Sequence, residues 1–386
     1  MRFRDVAVAG SGIVPFGIHR DRTTAELARD AGLAALHDAG LTLADVDEAF
    51  VGYLQPAPLL GIKAMKELGL TGLPVTHVEN ASATGLVAFR EAAWAVASGR
   101  ARVAMAIAFD KMTDMAGGGG GSRGTGRDQL DATILPAAYF ALWAQRRMHD
   151  HGTTPEHFAA IAAKNWNHGA RCEWSHRRTD HVVTVEEVLA SRVVAEPLTA
   201  MMMCPADDGA ACVIVATEDL VRSGPPGRRI VRPVASVLRS ETYSPGHTFL
   251  GPVVGPATRT RDTAAAAYEL AGMGPSDVDL ALCHDAFANE ELEYYELLGF
   301  CPEGGGEKLL ETGATALGGS IPFNTDGGLI ARGHPGGPTG LAMVHEVVHQ
   351  LRGEAGDRQV EGARTALAHL VGGGSVCTVN LFEGVS

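Results

Sequence analysis

Apolar and polar positions along this chain fall into strand-like and helix-like stretches, and twice they do so in the same order. The run from Val6 to Gly17 reads as an opening strand. An alanine-rich helical pattern then ends at Ala39, turns through Gly40, and leads into an apolar strand from Glu48 to Tyr53. Far downstream a second alanine-rich pattern ends at Ala271, turns through Gly272, and leads into a strand from Leu280 to Cys283. Residues 39–47, AGLTLADVD, and 271–279, AGMGPSDVD, are similar nearly position for position. Two such units far apart suggest two related α/β halves. Chance likeness between helix–loop–strand units is the competing account.

Between these copies lie a helical pattern from about Leu86 to Ser98, a long apolar strand from Arg102 to Phe109, and a helical pattern from Pro155 to Gly169. The strand at 102–109 suits a core or an interface. Residues 116–126 are glycine-rich and read as a loop, and Ser223-Gly224-Pro225-Pro226-Gly227 reads as a linker. The first half therefore spans about 1–225 and the second 226–386.

At 386 residues the chain exceeds one ordinary domain, and 46% apolar residues can fill a large core. A formal charge of −13 argues against nucleic acid or an anionic membrane surface as the main partner. An anionic ligand needs only a local basic patch. Arg123, Arg127, Arg146, Arg147, Arg171, Arg177 and Arg178 concentrate positive charge mid-chain, although a solvated face explains most of them equally well. No apolar run is long enough to span a membrane, and the first residues lead straight into a strand, so neither a span nor a signal peptide is expected. The six cysteines form no CxxC pair, which fits a reduced, cytoplasmic protein without a zinc or disulfide framework. His345 and His349 have helical i, i+4 spacing but no third ligand near in sequence, so no metal site is expected.

The candidate chemistry lies in residues 324–340, NTDGGLIARGHPGGPTG. His334 sits there in a glycine-rich turn before an amphipathic helix. Glycines permit positive φ and close approach of a ligand. A helix N-terminus offers N–H groups to an anionic oxygen. A histidine so placed can polarise an oxyanion or move a proton. A tight turn whose histidine only packs or caps is the plain alternative. Ser82 lies at a strand-to-helix junction within residues 78–85, VENASATG, where a simple N-cap is the plain reading.

These segments resemble the thiolase superfamily. Residues 324–340 resemble its GHP block, residues 284–287, HDAF, look like the HDCF block of the sterol carrier protein x thiolases and their bacterial lipid-transfer relatives, and the opening run and residues 204–211, CPADDGAA, match further blocks. The resemblance implies an α/β fold of two similar βαβαβαββ halves forming a five-layered αβαβα core, with a loop domain inserted at about 111–203. It places Ser82 where the family carries its nucleophilic cysteine. The second family cysteine, general acid/base of the CxGGG block, falls on Leu370, which cannot move protons. Relatives in the sterol carrier branch also lack it and lean on the HDCF histidine, here His284. His369 neighbours Leu370 on a strand and should point to the opposite face. Cys283 and Cys204 are weaker alternative nucleophiles, and Cys377 suits the core.

The implied site is Ser82, His284 and His334, with Gly373 and Gly374 supplying backbone donors to an oxyanion, and Asn324 and Gly333 lining the substrate. Loss of both cysteines removes a good nucleophile and a good leaving group, yet stabilising a thioester enolate requires neither. The expected function is a non-covalent C–C bond lyase that cleaves a β-hydroxyacyl-CoA by retro-aldol chemistry, on a steroid or lipid side chain. An acyltransferase or condensing enzyme with Ser82 as nucleophile and His334 as base is the second reading. A non-catalytic acyl-CoA-binding subunit is the third. The resemblance further implies coenzyme A thioester as substrate with no permanent cofactor, a homodimer, and for the lyase a small OB-fold, zinc-ribbon partner. Segments around Met115 to Tyr139 and Tyr243 to Phe249 would shape the acyl pocket.

Overall fold

The computed structural model describes residues 3, 5–115, 136–224, 227–242, 247–248, 251–252, 258–373 and 375–385. The glycine-rich loop at 116–126, Arg123, Arg127, Pro225–Pro226 of the expected linker and nearly all of the 243–249 segment lie outside those residues.

The first half runs strand β1 (Val6–Gly17), helix α1 (Thr24–Ala39), β2 (Glu48–Gly52), α2 (Leu60–Leu68), β3 (Val75–Val78), α3 (Thr84–Ala97), β4 (Val103–Lys111), then α4 (Pro136–His151) and α5 (Pro155–Gly169), before β5 (Asp208–Thr217). The second runs β6 (Ile230–Ser240), α6 (Arg259–Ala271), β7 (Leu280–Leu282), α7 (Ala288–Leu297), α8 (Gly328–Ala331), α9 (Thr339–Arg352), β8 (Thr365–Gly372) and β9 (Val376–Val385). Helix α1 starts where Thr23 and Glu26 cap each other reciprocally, and it stops at Gly40, whose φ of 66° a side chain would disfavour.

The strands of the first half lie in the order β1-β5-β4-β2-β3, and those of the second in the order β6-β9-β8-β7. β1 and β6 join the two through one residue pair, Val8 with Val231, so nine described strands form one continuous sheet. Among the described residues the second set lacks only an equivalent of β3. In its place Phe323 makes an isolated parallel bridge to Ala281 on β7. The duplication read from residues 39–47 and 271–279 recurs in detail. Asp47 Oδ2 accepts the Arg102 and Val103 N–H groups at 2.7 and 3.0 Å. Asp279 Oδ2 accepts those of Arg364 and Thr365 at 2.8 and 2.9 Å. Each aspartate thus fixes the first turn of β4 or β8 against the strand beside it.

Helices α1 and α6 cover the outer faces of the two sheet halves, and α3 and α9 lie between them, giving five layers. Ten of the fourteen residues of α3 and twelve of the fourteen of α9 are buried. Polar faces are unnecessary for helices enclosed on all sides. All nine residues of β4 are buried as well. The strand expected at 102–109 is therefore core. Side chains such as Met105, Ile107 and Phe109 each contribute roughly 1.5–3 kcal/mol by leaving water.

The two central helices touch at their N-termini through glycine. A Cβ on Gly85 would sit 2.6 Å from the Gly337 carbonyl oxygen and 2.7 Å from the Leu341 nitrogen. This contact brings two sequence-distant turns together, one ending in Ser82 and the other carrying His334.

Candidate active site

Ser82 stands on a strained turn between β3 and α3. Ala81, just before it, has φ of +48°, uncommon for a residue with a Cβ. Neighbours hold the turn: Glu79 accepts the Ala81 N–H at 2.7 Å, and Thr84 Oγ1 accepts the Asn80 N–H at 2.8 Å. The Ser82 hydroxyl does not cap the helix, whose N-cap is Ala83 without a side-chain bond. It lies half-buried, 3.1 Å from Nε2 of His334.

The turn of His334 is fixed from below and behind. Gly333 has φ of +111°, and a Cβ there would collide with Asp207. Asp110, at the end of β4, accepts the Gly337 N–H at 2.7 Å and the Leu54 N–H at 2.9 Å. Burial pushes the Asp110 carboxyl up to about 7, against the pull of those N–H groups.

Hydrogen bonding assigns the tautomer of His334. Thr339 Oγ1 donates its single proton to the Pro335 carbonyl at 2.6 Å. The same oxygen lies 2.8 Å from His334 Nδ1 and can only accept there. Nδ1 therefore carries the proton, Nε2 offers its lone pair, and Ser82 donates to it. Burial, then the nearby His284 and Arg332, hold this imidazole well below the usual histidine range. It is a neutral acceptor.

His284 follows β7 and is buried. Its ring stands perpendicular to that of His334, at 88°, with centroids 5.6 Å apart. Its Nδ1 lies 2.9 Å from Glu290 Oε1. Asp285, the next residue, points the other way. It accepts the Leu329 N–H at 2.6 Å and the Asn165 side-chain amide at 2.8 Å, holding the start of α8. Burial and neighbouring Glu291 push its carboxyl up. The His-Asp pair thus sends one side chain to the site and the other into the support of the His334 turn.

Not every residue singled out from the sequence joins this cluster. Asn324 is fully buried, with φ of +49°. Its Oδ1 accepts the Cys283 N–H at 2.9 Å and its Nδ2 donates to Glu291 at 2.8 Å. With the amide used at both ends, Asn324 is a structural hub and offers nothing to a substrate. Gly333 is likewise required by Asp207 beneath it. Gly373 has φ of +54°, and its neighbour Gly372 packs on the Asn80 carbonyl, so the glycine run does lie against the Ser82 turn. Gly374 lies outside the described residues.

Leu370 is buried, as is His369, which packs edge-on to Tyr294 with centroids 4.4 Å apart. Cys283 is buried against Asn324, and burial pushes its thiol and that of Cys204 far up. Cys377 is in the core. His345 bonds Ser11 at 2.9 Å and packs at a tilt of 55° against His349 beside Trp174. Arg147 is buried between Glu296 and Glu307, and Arg177 donates to the Met203 and Ile330 carbonyls, so neither is a free cation for a ligand.

Three supporting residues went unnoticed in the sequence: Glu290, Thr339 and Asp110. Thr339 directly follows the glycine-rich turn and could have been read as its anchor. Glu290 lies six residues beyond His284, in the first turn of α7. Asp110 carries no local signal, because its partners are 56 and 227 positions away.

Residues 6–219 match the thiolase N-terminal domain, and residues 253–381 match the thiolase C-terminal domain-like family. The chain is 35% identical over 404 residues to sterol carrier protein 2 of Rattus norvegicus, covering 99% of this chain and 72% of the relative. It is also 35% identical over 392 residues to an acetyl-CoA acetyltransferase of Methanothermobacter thermautotrophicus, covering 98% and 100%. The solved Ltp2-ChsH2(DUF35) aldolase superposes with a TM-score of 0.85 at 24% identity, over 98% of both chains. Among the described residues no helix is long and apolar enough to cross a membrane.

Proposed function

This chain belongs to the thiolase family and is a thiolase-like enzyme acting on acyl-CoA thioesters, and within that class we propose that it is a C–C bond lyase cleaving β-hydroxyacyl-CoA by a retro-aldol reaction. The observation that carries this reading is the environment of Ser82. The imidazole touching it is backed by a neutral hydroxyl, Thr339, where the Ser-His-Asp arrangement has a carboxylate. Burial depresses its proton affinity further. A serine hydroxyl needs a strong base to become a nucleophile, and this base is weak. The position that would return a proton in thiolysis is Leu370, which is buried and apolar.

Retro-aldol cleavage asks less of the site. A base takes the β-hydroxyl proton, the Cα–Cβ bond breaks, and its electron pair forms a thioester enolate. The β-carbon leaves as a ketone or aldehyde. Protonation of the enolate at Cα releases the shorter acyl-CoA. His284 is the base in this reading. The backbone donors at Ser82 and Gly373 hold the enolate oxygen, while the Ser82 hydroxyl stays bonded to His334. The likeness to an Ltp2-ChsH2(DUF35) aldolase supports the reading and suggests a DUF35-type partner chain for this protein too. The test is to incubate purified protein, alone and with such a partner, with a panel of β-hydroxyacyl-CoA esters. Release of a shorter acyl-CoA and a carbonyl compound is expected, and intact esters throughout would overturn the reading.

One contact favours acyl transfer as the second reading. Ser82 already donates to a proton-free imidazole nitrogen, the first half of a nucleophile–base pair. That reading requires an acyl-Ser82 adduct.

A further inference from the structure

We propose that Glu290 is a positioning residue that fixes His284 as a proton acceptor toward the substrate. The reaction assigned to His284 rests on the lyase reading, whereas the geometry does not. Glu290 is 1% exposed and lies in the first turn of α7. Its Oε1 is 2.9 Å from His284 Nδ1 and accepts the Tyr294 hydroxyl at 3.2 Å, while its Oε2 accepts the Phe287 N–H at 3.1 Å. A carboxylate that accepts at both oxygens is the acceptor for Nδ1–H as well. His284 then keeps its proton on Nδ1 and presents the lone pair of Nε2.

The two site imidazoles thus have the same tautomer but different backing. Behind His334 is a hydroxyl that can only accept; behind His284 is a carboxylate. A proton arriving on His334 gains no anionic partner, whereas one arriving on His284 Nε2 creates an imidazolium bonded to Glu290. Such charge-assisted bonds are roughly twice as strong as neutral ones. The groups facing His284 are Glu290 and Tyr294 from α7, His334 from its turn and His369 from β8, and burial keeps both other histidines neutral.

The division of labour follows. His284 takes the β-hydroxyl proton on Nε2, and its Nδ1–H stays in place, bonded to Glu290. When the Cα–Cβ bond breaks, the same Nε2 proton passes to Cα of the enolate, which restores the neutral imidazole. His334 meanwhile holds the Ser82 hydroxyl.

Glu290→Gln tests this. The amide offers one acceptor oxygen where two N–H groups need one each. If that oxygen serves Phe287, the amide NH₂ faces His284 and forces the proton to Nε2, turning an acceptor into a donor. The expected loss in kcat is about 10²–10⁴-fold, the range for removing a general base, with KM little changed. The acid limb of the pH–rate profile should move to lower pH in any residual activity, because the carboxylate no longer favours the imidazolium. Wild-type protein labelled with ¹⁵N-histidine gives a readout independent of turnover and of the variant's folding. Its His284 signals should show the Nδ1–H form, or the imidazolium at low pH. An Nε2–H form in the wild type would overturn the proposal, as would a folded Glu290→Gln protein with unchanged tautomer and pH limb. If the Nδ1–H form is found but no β-hydroxyacyl-CoA is cleaved, the lyase reading fails and the role of Glu290 stands.

Discussion

The Ser82 hydroxyl meets His334 at the one ring nitrogen that carries no proton, 3.1 Å away across 252 residues of sequence. Thr339 decides this by spending its own proton on Pro335. The serine hydroxyl is therefore the donor in this contact and the neutral imidazole the acceptor.

Ser82→Cys should behave differently from the wild type. A thiol at this turn, at the start of α3 and beside a proton-free nitrogen, gains thiolate character that a hydroxyl lacks. With a reactive acyl-CoA, the intact mass of Ser82→Cys should rise by one acyl group while the wild type stays unmodified. Equal acylation of both would show that His334 activates a hydroxyl after all.

Thr339→Val removes the acceptor behind His334 at nearly constant volume. The Nδ1–H and the Pro335 carbonyl both lose a partner, at a cost of about 1–3 kcal/mol in unfolding free energy. The ring can escape by moving its proton to Nε2, which would make Ser82 the acceptor. Activity should fall by up to about tenfold by that route, the scale of one lost hydrogen bond, and Thr339→Ser, which keeps the hydroxyl, should recover most of it. A valine variant of wild-type activity would mean the tautomer is irrelevant.

Gly85→Ala probes the contact between the central helices. The added methyl meets backbone atoms of Gly337 and Leu341, which cannot rotate away. Overpacking of this kind costs about 1–3 kcal/mol. Because the same contact sets the Ser82–His334 distance, activity should drop by more than the loss of folded protein accounts for. Thermal unfolding and kcat measured on one preparation separate the two effects.

Asp110 gives a pH-dependent signature. Its folded-state value of about 7 lies above the unfolded value of about 3.9. The folded protein therefore holds this proton more tightly than the unfolded chain does. The stability it contributes is full below about pH 4 and is lost as pH rises toward about 7. Asp110→Asn lacks this term and has one acceptor oxygen for the two N–H groups of Leu54 and Gly337. The variant should melt below the wild type at low pH, with the gap narrowing up to about pH 7. A gap independent of pH would show that the folded-state value of Asp110 is not raised above that of the unfolded chain.

The architecture was largely legible in the sequence because local patterns carried it. The repeated Ala-Gly turns end α1 and α6 at Gly40 and Gly272, both in the left-handed conformation. The helix read at Pro155 to Gly169 has those bounds. The missing third strand of the second half was not legible, since Phe323 differs from a strand residue only in lacking neighbours that pair. The convergence of Ser82, His284 and His334 came from matching blocks to a family. Their protonation states did not, because Glu290 and Thr339 act through side-chain geometry that no periodicity records. Asn324 misled for the same reason. An amide in a glycine-rich block looks available until its partners, Cys283 and Glu291, are seen to use it.

The most direct test of the lyase reading is to follow protein mass and acyl-CoA products together while the protein turns over a β-hydroxyacyl-CoA. A shorter acyl-CoA should accumulate with no acyl adduct on the protein, and Ser82→Ala should retain cleavage within about tenfold, the scale of one lost hydrogen bond. An acyl mass on the wild-type chain that vanishes in Ser82→Ala, with the Cα–Cβ bond intact, would contradict it and make this protein a serine acyltransferase.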